Sequence, residues 1–219
     1  METIEKNDFI EIEFTGKSNG NIFDTTNKEE AKSIGLEADV KPIIVSVGNE
    51  MLLKGFDNAL EGKEIGKKYS IHLVPEEAFG KRDSSLLKLI PLRIFREKNM
   101  NPVPGMTLQL DNHVAKVLSV SGGRITVDFN NPLAGKEIDY DFIPTRKIID
   151  DKEKIDSLQD FFFRQRFEFE IKEKKVVFKE PKIKPLIDMM REKLKQISGF
   201  DFEVVEEKAK QEVSKEKQP

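Results

Sequence analysis

The chain contains no cysteine and no tryptophan, and its only histidines are His72 and His113. Without cysteine there can be no disulfide, no thiolate nucleophile and no thiolate metal ligand, which fits a reducing interior. Two histidines in separate segments exclude a histidine-rich metal site. We therefore expect a protein that uses neither a metal nor a cofactor.

Long apolar runs and an excess of one charge are also missing. No stretch approaches the roughly 20 apolar residues of a membrane span, and the first residues lack an apolar signal region. The 219 residues include 37 Lys and Arg against 40 Asp and Glu, so there is no overall basic field to attract nucleic acid. These features favour a cytoplasmic protein of one to three domains without a membrane or nucleic-acid partner.

Residues 42–66 are the segment around which the rest of the chain is organised. Alternating apolar residues from Ile43 predict a strand that ends at Gly48, and Met51 to Phe56 then follow at helical spacing. Gly55 costs such a short helix roughly 1 kcal/mol relative to alanine, so we expect a neighbour that needs the space. The helix is either the floor of a pocket or an ordinary core helix, and this stretch by itself leaves both open.

Several short motifs then occur in a fixed order. They are I-E-F-T-G at 12–16, I-F-D-T at 22–25, the segment V-S-V-G to A-L-E-G at 45–62, G-K-K-Y-S-I at 66–71 and P-E-E-A-F-G at 75–80. Together they resemble the FKBP-type peptidyl-prolyl cis-trans isomerases, although no single motif is specific. The resemblance implies an α+β fold in which an antiparallel sheet wraps around a short helix.

A later motif, N-P-L-A-G-K at 131–136 followed by an alternating strand, resembles the ending of the SlyD-like subgroup. That subgroup carries a small domain inserted in the flap, so we predict a discontinuous isomerase domain of residues 1–83 and 130–150. The pattern of residues 84–129, the insert, predicts an all-β module of short strands. A module of this length is near the lower limit at which one hydrophobic core gives a stable fold. The resemblance implies that the insert binds unfolded chains through exposed apolar side chains. The candidates are Leu86, Leu89, Ile90, Leu92, Ile94, Phe95 and Met100. Alternatively, many of these side chains form the core of the insert.

Residues 151–205 lie beyond the resemblance to the isomerase domain and suggest a long, archaeal-like form with an extra domain. Their pattern predicts a small α+β domain in the order α-β-β-α-β, followed by a charged tail at 206–219. Three consecutive phenylalanines, 161–163, span too wide an arc to face one small core. We therefore predict a homodimer formed through this domain. The alternative is that the domain packs on its own isomerase domain.

The resemblance also implies which residues surround the substrate proline: Phe14, Phe23, Ile43, Leu52, Leu53, Phe56, Phe79 and Tyr140. Asp24 is the polar group beside them, and Leu133 is a flap residue. The family often has tyrosine where Phe14 and Phe79 stand and tryptophan where Phe56 stands, which predicts a modified pocket. From the residue pattern alone, Asp24 reads as a turn or strand-edge residue, and Phe14, Phe23 and Ile43 as ordinary sheet core.

Isomerisation of an X-Pro bond breaks no covalent bond, so it needs no nucleophile, metal or base. The expected activity is that of a peptidyl-prolyl isomerase that also acts as a chaperone on unfolded, proline-containing polypeptides. The alternative is a holdase that recognises such segments without turnover. RNA attachment through the C-terminal domain is a weaker alternative, because the sequence shows no basic stripe and no glycine-rich clamping loop.

Overall fold

The computed structural model describes residues 2–36, 40–110 and 113–205, and the tail predicted at 206–219 lies outside them. In chain order the strands are β1 (Phe9–Ser18), β2 (Asn21–Thr25), β3 (Ile43–Ser46), β4 (Tyr69–Leu73), β5 (Leu87–Pro91), β6 (Thr107–Leu110), β7 (His113–Ser121), β8 (Arg124–Asp128), β9 (Ile138–Lys147), β10 (Phe169–Lys172), β11 (Lys175–Phe178) and β12 (Asp201–Val204). The helices are α1 (Lys28–Ser33), α2 (Lys54–Leu60), α3 (Leu92–Glu97), α4 (Asp151–Phe162) and α5 (Lys184–Ser198).

The first sheet has the order β2-β1-β9-β4, with β3 also paired to β1, and every pair in it is antiparallel. The predicted alternation of β1 is present, since Ile10, Ile12 and Phe14 are buried while Glu13 is exposed. Because β9 joins this sheet only after the insert, residues from both sides of the insert form one layer. The mixed α/β architecture with antiparallel sheets is consistent with the FKBP fold.

Helix α2 covers this sheet but begins later than the sequence pattern predicts. It starts at Lys54, whereas Met51 lies in the preceding loop, where its sulfur accepts a hydrogen bond from the Ser46 amide at 3.2 Å. Leu53 is the N-cap residue and has an extended backbone with φ −56° and ψ 141°. Apolar residues at helical spacing thus continue beyond the helix because the loop before it is buried too.

The insert forms a separate four-stranded antiparallel sheet with the order β5-β8-β7-β6. Helix α3 packs on one face through Phe95, against Val117, Ile125 and Val127, all of which are essentially inaccessible. This core is distinct from the core of the first sheet. The insert therefore has a hydrophobic core of its own, and helix α3 corrects the prediction of an all-β module.

The C-terminal residues form helix α4, strands β10 and β11, helix α5 and strand β12, which is the predicted order of elements. Strand β11 pairs antiparallel with β10 and parallel with β12. Helix α4 contacts β3, and its Ile155 and Leu158 are buried in a core continuous with that of the first sheet. This unit thus packs against the first sheet of its own chain through α4, while the homodimer stays a prediction.

Candidate active site

Five aromatic side chains from different elements form one connected cluster, which we call the ring cluster: Phe14, Phe23, Phe56, Phe79 and Tyr140. Tyr140 stacks on Phe56 with ring centroids 4.5 Å apart, and Phe14 meets both of these rings edge-on. Phe23 lies edge-on to Tyr140 at 6.0 Å and to Phe79 at 5.8 Å. The structure therefore brings together all five aromatic residues that, by the family resemblance, surround the substrate proline.

Strand pairing puts the cluster at one position of the first sheet. In the register of β1, Gly16 lies opposite Tyr140 of β9 on one side and opposite Asp24 of β2 on the other. A Cβ atom on Gly16 would lie only 2.7 Å from Tyr140 Cε1 and 2.8 Å from Phe23 Cζ. The two rings pack directly over the Gly16 backbone. A side chain at this position would collide with them, which explains why the I-E-F-T-G motif ends in glycine.

Phe56 is the floor of the cluster. It is 1% exposed and also contacts Phe142, with ring centroids 5.0 Å apart. The preceding Gly55 lets α2 approach β4 closely, since a Cβ there would lie 2.7 Å from Leu73 Cδ2 and 3.0 Å from the Glu77 carbonyl oxygen. The prediction that Gly55 provides space for a neighbour is confirmed.

One residue that sequence reasoning missed holds the loop before α2. Asp57 is buried, and its two carboxylate oxygens accept hydrogen bonds from the Gly48 amide at 2.8 Å and the Glu50 amide at 3.0 Å. Glu50 has a φ of 60°, in the left-handed region that few residues other than glycine adopt. Asp57 thus fixes the loop that carries Leu52 and Leu53, and its place in the G-F-D motif was the available signal.

The predicted aliphatic residues occupy intermediate positions. Ile43, Leu52, Leu53 and Leu133 are half-buried and pack against the core to which the ring cluster belongs. Half-buried apolar side chains next to buried rings leave apolar surface that a proline ring could contact.

Asp24 lies at the edge of the ring cluster. Burial raises the pKa of its carboxyl group, while a hydrogen bond from the Thr25 backbone acts in the opposite direction. The residue as a whole is exposed, so we take the effect to be crowding by neighbouring protein atoms rather than full enclosure. Burial raises the pKa of Tyr140, and the charge of Asp24 adds to that rise, which places the two groups within electrostatic reach.

The insert residues predicted to bind clients divide into two groups. Leu86, Leu89 and Ile94 are exposed, whereas Ile90, Leu92 and Met100 are half-buried against the insert core. Phe95 is 1% exposed, which corrects the expectation that it offers binding surface, because α3 directs it into the sheet.

The sheet face opposite α3 carries exposed apolar side chains, of which the sequence analysis names only Leu89. Leu87, Leu89 and Val114 alternate with core-facing residues, and Leu118 is exposed at the bulge of β7. We call these four residues the open face of the insert.

A polar network ties together the two chain segments that lead into and out of the insert. Asn130 accepts a hydrogen bond from the Asp83 amide at 2.8 Å and donates to the Asp83 carbonyl at 2.9 Å and to the Asp128 carboxylate at 2.7 Å. Arg82 pairs with the same carboxylate. Asp128 and Asn130 are both buried, so the two chain segments that connect the insert are tied to each other.

No group of three or more Asp, Glu or His side chains in the described ranges is arranged to hold a metal ion, and no helix there is long and apolar enough to cross a membrane. A cleft of about 500 Å³ lies between α4 and β10, away from the ring cluster. In this cleft Arg166 pairs with Asp160, and Lys179 pairs with Glu168.

Comparison with known proteins agrees with this geometry. A family model described as FKBP-type peptidyl-prolyl cis-trans isomerase matches residues 1–92, and one described as FKBP26, IF domain, matches residues 88–133. The chain is 33% identical over 140 residues to the short-type peptidyl-prolyl cis-trans isomerase of Methanocaldococcus jannaschii, which covers 63% of this chain and 89% of that protein.

Bacterial relatives show the same pattern. The FKBP-type 16 kDa peptidyl-prolyl cis-trans isomerase of Escherichia coli is 28% identical over 64% of this chain and 91% of its own length. The SlyD isomerase of Haemophilus influenzae is 30% identical over 46% of this chain and 54% of its own length. The chain thus belongs to the FKBP-type peptidyl-prolyl cis-trans isomerases, and its ring cluster lies where strands from both sides of the insert meet.

Proposed function

We propose that this isomerase accelerates X-Pro rotation by removing water from the amide in the ring cluster, and that its insert holds unfolded chains nearby. The observation that carries the proposal is the convergence of five rings from five separate elements, three strands, one helix and one loop, on one position of the first sheet. Asp24 and Tyr140 are the polar groups at this position. Ile43, Leu52 and Leu53 would complete the apolar wall.

The chemistry requires little from the protein. The barrier to amide rotation is about 18–20 kcal/mol, and it arises from the loss of resonance in the twisted amide. The planar amide is more polar than the twisted one, so an apolar site that excludes water favours the twisted state. A thousandfold acceleration requires only about 4 kcal/mol of such preference, which desolvation by aromatic side chains can supply.

The open face of the insert supports a chaperone role. Leu89 is 59% exposed and Val114 is 62% exposed, on the sheet face opposite α3. Exposed apolar side chains clustered on one face commonly mark an interaction site. An unfolded segment bound there would stay near the ring cluster, because the Asn130 network holds together the two chain segments that connect the insert to the rest of the chain.

Two assays run side by side test both halves of this proposal. The wild-type chain should accelerate isomerisation in a proline tetrapeptide and in a protein whose refolding is limited by proline isomerisation. Replacing Leu87 and Leu89 by glutamine should lower the refolding rate several-fold and leave the tetrapeptide rate unchanged, since both side chains are exposed. Lys88→Gln, on the same strand, is the matched control.

The results separate the two halves. A tetrapeptide rate equal to the uncatalysed rate at micromolar protein would contradict the isomerase mechanism and leave the holdase alternative. Equal refolding rates for the wild type and the double variant would contradict the role of the open face.

Homodimerisation through residues 151–205 is a separate proposal. Met189 is 74% exposed, and Phe161, Phe162 and Phe163 are each half-buried, so apolar surface remains after this unit packs on β3. Ile187, Leu194 and Ile197 of α5 are already buried within the chain, which reduces the surface left for a partner. Light scattering at tens of micromolar tests the proposal, and a monomeric mass would contradict it.

A further inference from the structure

Four of the five rings in the ring cluster are phenylalanines, so the Tyr140 hydroxyl is the only polar atom that any of these rings carries. Tyr140 is 4% exposed, and its ring is held by the stacked Phe56 and by the edges of Phe14 and Phe23. A side chain held on several sides has a well-defined direction for its hydroxyl group.

A buried phenol normally finds a hydrogen-bond partner, because leaving it unpaired is costly. Tyr69 follows this rule, since its oxygen accepts a hydrogen bond from the Glu64 amide at 2.9 Å. Tyr140 makes no such bond within the described ranges, and its oxygen is not among the fully enclosed atoms without a partner. The hydroxyl therefore reaches open space while the ring stays buried.

The hydroxyl is a donor at neutral pH. Burial raises the pKa of Tyr140, and the nearby charge of Asp24 raises it further, so the phenol stays protonated. Proline has no backbone N–H, so the polar groups that an X-Pro segment presents to a site are mainly carbonyl oxygens. A free donor in an apolar site is the complement of such a segment.

We propose that the Tyr140 hydroxyl donates a hydrogen bond to a carbonyl oxygen that flanks the rotating amide of the bound X-Pro segment. This rests on the proposed location of the active site. The rotating amide itself is excluded as the acceptor, since a hydrogen bond to its oxygen would stabilise the planar, charge-separated state and slow rotation. A bond to a flanking carbonyl is made equally in the ground and transition states, so Tyr140 is a substrate-positioning residue that lowers KM.

The experiment uses the full chain with Tyr140→Phe, which removes one oxygen atom and keeps the ring contacts. Peptide exchange measured by NMR on an X-Pro tetrapeptide gives kcat and KM separately. We expect KM to rise about threefold to tenfold, the size of one neutral hydrogen bond, with little change in kcat. Tyr69→Phe is the matched control and should leave KM unchanged, because its hydroxyl bonds to the Glu64 backbone.

Because the chain has two tyrosines and no tryptophan, intrinsic fluorescence provides a second readout. In the Tyr69→Phe variant, Tyr140 is the remaining fluorophore of this kind, and a tetrapeptide free of aromatic residues should change its emission on binding. Denaturant unfolding separates positioning from a structural role. Tyr140→Phe should be about as stable as the wild type, because it keeps the ring contacts and removes a hydroxyl that makes no hydrogen bond within the described chain.

Each outcome decides the inference. If KM is unchanged in Tyr140→Phe, or if both the stability and kcat of this variant fall, the role of the hydroxyl is overturned and the isomerase mechanism stays intact. A wild type that binds the peptide through Tyr140 without turnover contradicts the mechanism and supports the inference. A wild type that neither binds nor turns over the peptide overturns both.

Discussion

Replacing Gly16 by alanine should damage the proposed active site more than the fold. Gly16 lies in β1 between Asp24 and Tyr140, and its backbone does not have the positive φ that would require glycine. A Cβ there would lie 2.7 Å from Tyr140 Cε1, 2.8 Å from Phe23 Cζ and 3.1 Å from Phe23 Cε1. These separations are shorter by about 1 Å than the usual carbon–carbon contact.

The two rings differ in how they can respond. Tyr140 is stacked on Phe56 and 4% exposed, so it has little room to move. Phe23 is only half-buried and can rotate towards solvent, which would separate it from Phe79. The substitution would therefore open the ring cluster on the Phe23 side.

Opposing effects set the size of the stability change. Alanine in a strand is favoured over glycine by roughly 0.5–1 kcal/mol. Overpacking typically costs about 1–3 kcal/mol, so the free energy of unfolding should fall by about 0–2.5 kcal/mol. A displacement of about 1 Å in a reaction site can reduce the rate up to about a hundredfold, so we expect kcat/KM to fall at least about tenfold.

Tetrapeptide isomerisation and denaturant unfolding are measured on Gly16→Ala and on Gly55→Ala. Gly55→Ala is the same chemical change at another glycine without a positive φ. At Gly55 the added atom meets Leu73 and the Glu77 backbone, so it should lower stability and leave the activity of the folded fraction closer to wild type. Wild-type kcat/KM in folded Gly16→Ala would refute the reasoning.

Three further changes test other parts of the structure. Phe56→Ala should lower the free energy of unfolding by about 3–5 kcal/mol and abolish tetrapeptide isomerisation, because the ring is fully buried under Tyr140. Asn130→Ala should slow proline-limited refolding and widen the distribution of interdomain distances in X-ray scattering, with the exposed Asn101→Ala as control. A hydrogen bond from Lys17 is the main cause that lowers the pKa of Asp141 below 3.8, so its stabilisation is complete above that value and is lost as the pH falls through the lower folded pKa. Unfolding curves from pH 2 to 6 should show a smaller acid dependence in Lys17→Met.

Local patterning predicted most strands and the element order of the C-terminal unit. The alternation in β1 and the short apolar stretches of the insert are visible along the chain, because strand side chains repeat with a period of two. The start of α2 was misplaced because the buried loop before it carries Met51, Leu52 and Leu53 at helix-like spacing. Burial alone does not distinguish a helix from a packed loop.

The family resemblance predicted which rings come together in the ring cluster, although Phe14, Phe56 and Phe79 differ in type from the residues that the family often has there. Their mutual distances depend on strand register, which sequence spacing does not state. The same holds for the roles of Asp57, Gly16 and Asn130, whose partners come from loops and strands distant in the chain.

The sequence by itself determined the family, the periodicity of the strands and the absence of cysteine chemistry, because these depend on residue type and short-range order. Tertiary structure alone decided that Phe95 is core, that Leu87 and Val114 are exposed, and that α4 packs on β3. It also decided that the Tyr140 hydroxyl lacks a partner in the described chain while the Tyr69 hydroxyl has one. Exposure and hydrogen bonding are properties of what surrounds a side chain, and those surroundings come from segments distant in sequence.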